Sequence, residues 1–215
     1  MIYHAVGDRI AYDLLTNFPI KKEEVRIRLE KLGFLILGNP QQLLADAAWQ
    51  CFHNSRFQSD IDPTSAPFVV NCCSFIKWCY GQIGIWLPNS VLQQFEISKF
   101  GFGGPLADTK LRLGDLIFKR GRIKWHSDMY GCDVGHVGIV TEIREGGDGL
   151  VAHVIKDRGV IESPLKKRFV KNSRYRGARW IVPDFSSLVT LIIPNELKTR
   201  IETSYDVTCR VLATT

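Results

Sequence analysis

The chain has 215 residues, of which 45% are hydrophobic and 11% aromatic, so it carries enough apolar surface to bury a core. No apolar run approaches the roughly 18 residues that a membrane-spanning helix needs, and we expect no membrane span. The net charge of +6 favours an anionic partner such as a cell-wall polymer, but no nucleic-acid-binding motif accompanies it, so we expect no nucleic acid partner.

Residues 1–38 are predicted to form an N-terminal helical extension. Within it, residues 5–17 and 20–32 have the spacing of two short helices. Asp8 and Arg9 interrupt the basic-then-apolar layout of a secretory signal. We therefore expect the chain to be cytoplasmic as synthesised. Export by a route that uses no signal peptide stays an open alternative.

A cysteine-containing helix is the central element of the main predicted domain, residues 39–183. The spacing i, i+3, i+4, i+7 and i+11 places five apolar side chains on one face of this helix, namely Cys72, Phe75, Ile76, Cys79 and Ile83. Gly84 is predicted to end it. Because free N–H groups and the helix dipole favour a thiolate at the first turn, we expect the pKa of Cys72 to lie below the ordinary value of about 8.5.

The other cysteines do not indicate a disulfide framework. The chain has six cysteines, at positions 51, 72, 73, 79, 132 and 209. Two of them are adjacent and others lie on helix faces, so reduced thiols are the better interpretation. Cys132 and His136 have a ligand-like spacing, but no second close pair completes a zinc site. We expect neither a metal nor a cofactor.

Downstream of the cysteine helix the pattern changes from helix to strand. Residues 90–99 suggest one more short helix. Short β-prone runs follow, separated by turn residues, at 116–118, 134–141, 150–155, 160–162 and 178–182. Helices followed by strands predict an α+β fold in which the helices pack on a central antiparallel sheet. Residues 184–215 are predicted to be a C-terminal extension packed on the same domain, with a helix at 195–203 and a strand near 207–212.

Two histidines in these strands are candidates for a catalytic base. His136 lies between Gly135 and Gly138 in one run, and His153 lies in the next. If the two runs pair, both imidazoles can face the same side, and His153 can fix the tautomer of His136. A lone histidine in a strand is more often a core residue, but the order Cys, His, His favours a nucleophile with its base.

Five motifs resemble those of the NlpC-type cell-wall cysteine peptidases, a branch of the papain-like fold. Residues 71–88 are similar to the family's cysteine helix, and residues 113–118 (Leu-Gly-Asp-Leu-Ile-Phe) are similar to its Gly-Asp-Leu-Val-Phe strand start. The Gly-His-Val-Gly-Ile run at 135–139 resembles the family's histidine strand. Ala-His at 152–153 and Tyr-Arg-Gly-Ala-Arg at 175–179 complete the order.

This resemblance implies a set of site residues. It makes Cys72 the nucleophile, His136 the general base and then acid, and His153 the residue that orients it, with the N–H of Cys72 as an oxyanion donor. The residues implied to bind substrate are Asn71, Cys73, Ser74 and Gly135. Asn71, Cys73 and Ser74 depart from the family's Asp, Ser and Gly, which puts the family's peptide specificity in doubt.

The resemblance implies a hydrolase that cleaves an amide bond, most specifically a peptidoglycan stem-peptide endopeptidase at the γ-D-glutamyl–diamino acid link. Two alternatives stay open. One is a thiol amidase or acyltransferase with another substrate, including a toxin or effector, and the other is a non-catalytic module that binds the cell wall. Residues 120–133, which carry Trp125, His126 and Asp128, form either a lid or a surface insertion. The sequence gives no indication of oligomeric state.

Overall fold

The computed structural model describes residues 4–6, 9–13, 27, 31, 35–37, 40–52, 54–62, 65–85, 87–100, 103–121, 133–182, 185 and 188–192. These residues divide between two compact units. One unit comprises residues 1–43, 80–86 and 184–215, and the other comprises residues 44–79 and 87–183. The predicted domain boundaries at 38/39 and 183/184 stay predictions.

The first unit contains a four-stranded sheet in the order β1-β2-β12-β3. Its strands are β1 (His4–Val6), β2 (Arg9–Asp13), β3 (Leu35–Leu37) and β12 (Leu188–Ile192). The helix predicted at 5–17 is therefore wrong. Strand β12 pairs antiparallel with both β2 and β3, and this distant partner outweighs the local helical spacing. Ile27 and Lys31 are helical, whereas the rest of the predicted helix 20–32 lies outside the described residues.

The second unit is built on a six-stranded antiparallel sheet in the order β10-β9-β8-β7-β11-β6. The strands are β6 (Gly104–Leu106), β7 (Leu116–Arg120), β8 (Val134–Ile143), β9 (Gly149–Ile155), β10 (Gly159–Pro164) and β11 (Tyr175–Trp180). A short parallel pair, β4 (Arg56–Phe57) and β5 (Val69–Val70), forms a separate two-stranded sheet, and β4 contacts β10. The predicted α+β class with an antiparallel sheet is confirmed.

Three α-helices have bounds within the described residues. They are α1 (Pro40–Phe52), α2 (Cys72–Gly81) and α3 (Val91–Phe95), the last followed by a 3₁₀ turn at Ile97–Phe100. The predicted apolar face of α2 is confirmed, because Phe75, Ile76 and Cys79 are fully buried. Helix α3 packs against β8, the strand of His136.

A glycine ends α2, as predicted. Gly84 has a φ of 77°, its N–H donates to the carbonyl of Gly81 (3.0 Å), and the N–H of Ile85 donates to the carbonyl of Tyr80 (3.0 Å). This pair of bonds is the Schellman arrangement, which uses a left-handed residue to satisfy the last carbonyls of a helix. The sequence signal was sufficient here because the whole motif is local.

Two glycines allow β8 to run close to its neighbours on both sides of His136. A Cβ on Gly135 would lie 2.5 Å from the Cα of Gly121, and a Cβ on Gly138 would lie 2.6 Å from a methyl carbon of Val151. A larger residue at either position would push the strands apart. The glycines around His136 therefore hold the strand pairing that sets the position of its imidazole.

Candidate active site

The first turn of α2 is held by a reciprocal cap between Asn71 and Ser74. The Asn71 side-chain oxygen accepts the backbone N–H of Ser74 (2.9 Å), and the Ser74 hydroxyl accepts the backbone N–H of Asn71 (3.0 Å). This is the geometry of a capping box with serine in the third helical position. These two residues, predicted to bind substrate, therefore orient the helix start that carries Cys72. Ser74 is 2% exposed, whereas Asn71 is partly exposed and keeps its predicted role as a proposal.

Cys73 is a buried residue whose sulfur is surrounded by oxygen acceptors. Its Sγ lies 2.9 Å from the carbonyl oxygen of Asn89 and 3.1 Å from the side-chain oxygen of Asn71. The hydrogen bond with Cys72 lowers the pKa of Cys73, and burial opposes this only in part. A sulfur next to two oxygen acceptors is nevertheless stabilised as the protonated form, which can donate to them. We therefore assign Cys73 as a neutral thiol that donates to Asn89.

Gln94 on α3 also supports this turn. Its amide nitrogen donates to the carbonyl oxygens of Cys73 (3.0 Å) and Pro88 (2.9 Å), and the side chain is fully buried. The sequence offered no signal for this contact, because the two residues are joined by the fold rather than by a motif. The first turn of the cysteine helix is thus held both by its own cap and by a hydrogen bond from Gln94 on α3.

Cys72 is the first residue of α2 and is partly exposed. The backbone N–H of Val137, the residue after His136, donates toward its sulfur. The hydrogen bond with Cys73 and burial raise the pKa of the Cys72 thiol, and the Val137 N–H opposes them only in part. The expected low pKa is therefore not found, and Cys72 is a protonated thiol at rest that needs a base to become a nucleophile.

His136 and His153 are joined by a direct hydrogen bond. Strands β8 and β9 pair with Gly138 opposite His153, which places both imidazoles on one face of the sheet. The Nε2 of His136 lies 3.0 Å from the Nδ1 of His153, and the rings meet edge to face at 5.1 Å. The two histidine strands therefore pair, which is the condition under which His153 can orient His136.

A residue that sequence reasoning missed extends this network. The Nε2 of His153 lies 2.9 Å from the hydroxyl of Ser163 on β10, and both side chains are less than a tenth exposed. Strand β10 pairs with β9, with Ile161 opposite His153, so Ser163 occupies the same face one step along. The sequence around Ser163 resembles that of any serine in a strand, so it does not mark this residue as part of a site.

The network couples the tautomers of the two imidazoles. Burial, with Lys119 and Arg168 nearby, lowers the pKa of His153 to about 4, so this ring is neutral at pH 7. If Ser163 accepts the Nε2–H of His153, the Nδ1 of His153 is an acceptor for the Nε2–H of His136. The Nδ1 of His136 is then the ring nitrogen that carries a lone pair and can accept a proton.

The remaining sequence expectations have different outcomes. Gly135 is partly exposed and stays a proposed substrate contact. Trp125, His126, Asp128 and Cys132 lie outside the described residues, as does the rest of 122–132, which is most of the segment 120–133 predicted to be a lid or insertion. The cysteines at 51, 72, 73 and 79 are free thiols.

Neither a metal cluster nor a membrane helix is found in the described part of the chain. Its His, Cys, Asp and Glu side chains do not gather in any group of three that could hold a metal ion. None of its helices combines the length and apolar character needed to cross a bilayer.

No protein-family model matches the chain, and no curated protein matches it. Among solved structures, it is similar to an NLP/P60 family protein, described as similar to lipoprotein, from Staphylococcus aureus (20% identity, 80% of this chain and 46% of that chain, TM-score 0.49). It is also similar to NlpC1 from Trichomonas vaginalis (17% identity, 71% and 44%, TM-score 0.47). An NlpC/P60 family protein from Bacillus cereus aligns at 26% identity over 54% of this chain and 33% of that chain, with a TM-score of 0.41. The chain spans less than half the length of each, and all three carry the name of the family that its motifs resemble.

Proposed function

We propose that the protein is a cysteine hydrolase that cleaves an amide bond, with a peptidoglycan stem peptide as its substrate and the γ-D-glutamyl–diamino acid link as the bond. Two observations carry this proposal: the position of the Cys72 sulfur at the strand of His136, and the hydrogen bond between the two histidines. The Cys72 sulfur lies at the N–H of Val137, and the adjoining His136 is hydrogen-bonded to His153 at 3.0 Å. A thiol, a base and a group that orients the base form the arrangement required for nucleophilic catalysis.

The reaction begins with transfer of the Cys72 proton to Nδ1 of His136. The Cys72 thiolate attacks the amide carbonyl, and His136 gives the proton to the leaving amine, so that a thioester and a free amine result. Water, deprotonated by His136, then hydrolyses the thioester and restores the thiol. His153 stabilises the imidazolium because its Nδ1 accepts the Nε2–H of His136 in a charge-assisted bond.

The raised pKa of Cys72 favours activation of the thiol during attack over a thiolate that is already present at rest. A sulfur that keeps its proton at rest becomes nucleophilic only as His136 removes that proton, so the general base acts during attack. The partial exposure of both Cys72 and His136 leaves them accessible to a peptide.

The substrate class is supported by the five motifs and their order, which resemble those of cell-wall peptidases. Stem peptides carry carboxylates, and the net charge of +6 on this chain attracts them. An uncharged cell-wall polymer would not gain from this attraction.

Mass spectrometry of stem-peptide fragments after incubation with the protein tests the proposal. Wild type should produce two fragments whose masses add up to that of the substrate plus one water, and Cys72→Ala should produce neither. Cys51→Ala, which removes a different buried thiol, is the control. A product that has gained an added amine instead of water would identify an acyltransferase, and intact peptide bound without turnover would identify a binding module.

A further inference from the structure

A lysine lies beside the two histidines on the same face of the sheet. Lys119 is directly opposite His136 in the pairing of β7 with β8, and directly opposite Tyr175 in the pairing of β11 with β7. Directly opposed residues in antiparallel strands project to the same face. The ammonium of Lys119 therefore belongs to the surface on which the proposed chemistry takes place.

Contacts with the segment Lys166–Val170 hold this ammonium in place. Lys119 Nζ donates to the carbonyl oxygen of Arg168 (2.9 Å) and lies 4.9 Å from the ring centre of Phe169. The same ring meets His153 edge to face at 5.1 Å and stacks with His136 at 6.5 Å. One aromatic ring thus links the cation to both imidazoles.

The positive charge at this location is not balanced by an acidic residue in the described part of the chain. Elsewhere in those residues, arginines are paired with carboxylates, as Arg176 is with Asp133 (2.6 Å) and Arg112 is with Asp115 (3.1 Å). No such pair involves Lys119 or Arg168. Burial lowers the pKa of Lys119, and the nearby positive charges of Arg174 and Arg168 lower it further.

We propose that Lys119 and Arg168 form a binding subsite for a substrate carboxylate next to the scissile amide, beside the His136–His153 pair. This inference rests on the proposed amide hydrolysis and adds a determinant of specificity to it. A carboxylate accepts hydrogen bonds from an ammonium and a guanidinium together and would balance both charges. A γ-linked glutamyl residue retains its α-carboxylate and a C-terminal diamino acid retains its own, so either can supply the group.

Three peptides distinguish these sources. The parent is N-acetyl-L-alanyl-γ-D-glutamyl-L-lysine, and the other two carry a carboxamide in place of the glutamyl or the lysyl carboxylate. The size of the peptide is almost unchanged while its charge is removed. The kcat/KM of the parent divided by that of each carboxamide measures recognition of each carboxylate.

We expect one of the two ratios to be about tenfold or more in the wild type, because hydrogen bonds to charged groups are stronger than neutral ones. Lys119→Met should bring that ratio close to one, and Lys119→Arg should restore it. Arg168→Gln should lower it in part. The matched control is Lys167→Gln, which removes an equal charge from the neighbouring exposed residue and should leave the ratio as in the wild type.

Binding to the Cys72→Ala protein, measured by calorimetry with the same three peptides, separates the subsite from the reaction. Carboxylate-dependent binding that Lys119→Met removes would support the subsite even if wild type hydrolysed none of the peptides, in which case the proposed function fails. Hydrolysis with both ratios near one would overturn the subsite and leave the function in place. An equal loss of the ratio in Lys167→Gln would also overturn it, and absence of both binding and hydrolysis would reject subsite and function together.

Discussion

The buried contact between His153 and Ser163 leads to the sharpest prediction about the mechanism. Ser163→Ala removes the oxygen that lies 2.9 Å from the Nε2 of His153. His153 is 9% exposed, so water cannot readily replace this acceptor. An N–H left without a partner at such a position costs about 1–3 kcal/mol.

His153 can avoid that cost by moving its proton to Nδ1. The proton would then point at the Nε2–H of His136, and relief of that clash requires His136 to hold its own proton on Nδ1. That nitrogen is the one needed for the Cys72 proton. In both cases, with the unpaired N–H kept on His153 or with its tautomer changed, the form in which His136 can accept the Cys72 proton is disfavoured by about 1–3 kcal/mol. We therefore expect kcat to fall about 10- to 100-fold.

The assay is steady-state hydrolysis of a stem peptide, combined with nitrogen-15 NMR of the imidazoles. Thr141→Ala is the control, because it also removes a hydroxyl from a neighbouring strand, but one that donates to the exposed Glu162 (2.7 Å). Its kcat should stay within about twofold of wild type. An undiminished kcat in Ser163→Ala, with the His153 proton still on Nε2, would refute the assignment of Ser163 as a positioning residue.

Three further predictions concern the helix start and His153. Cys72→Ala should abolish turnover, and Cys73→Ser should retain most of it. Peptide mapping after iodoacetamide treatment at neutral pH should find Cys72 modified, and preferential modification of Cys73 would contradict the assignment of Cys72 as the nucleophile. Asn71→Ala removes the acceptor for the Ser74 N–H and should lower the free energy of unfolding in urea by about 1 kcal/mol, whereas Asn71→Asp should keep it. The pKa of His153 is about 4 in the folded protein, whereas its ordinary value is 6.5. The unfolded state therefore binds more protons between these pH values, and the free energy of unfolding should rise by about 3 kcal/mol as the pH increases across that window. Urea unfolding at several pH values tests this, and an equally steep rise in His153→Asn would assign the effect to another group.

Elements whose signals are local could be predicted from the sequence. The apolar face of α2 appears as a 3.6-residue spacing, and the stop at Gly84 appears as a glycine where a left-handed residue is needed. The cysteine at the helix start and the two histidines in successive β-prone runs were also visible, because each needs only its neighbours in the chain. These signals were enough to predict an α+β fold with an antiparallel sheet, whereas the pairing of β8 with β9 was only a condition for the role of His153.

Other features depended on residues that are distant in the chain. The strand at Arg9–Asp13 replaced a predicted helix because it pairs with Leu188–Ile192, about which a local window carries no information. Asn71 and Ser74 were assigned to substrate binding from the resemblance, whereas their observed contacts cap the helix.

Electrostatics and side-chain neighbours at the site were decided by tertiary structure alone. The helix start predicts a low pKa for Cys72, but burial and the contact with Cys73 depend on packing and reverse its direction. Ser163 and Lys119 face the histidines only because the register of β10 and β7 puts them there, and a shift of one residue would turn each side chain to the opposite face. Sequence spacing therefore identified the groups able to react, and strand register determined which groups surround them.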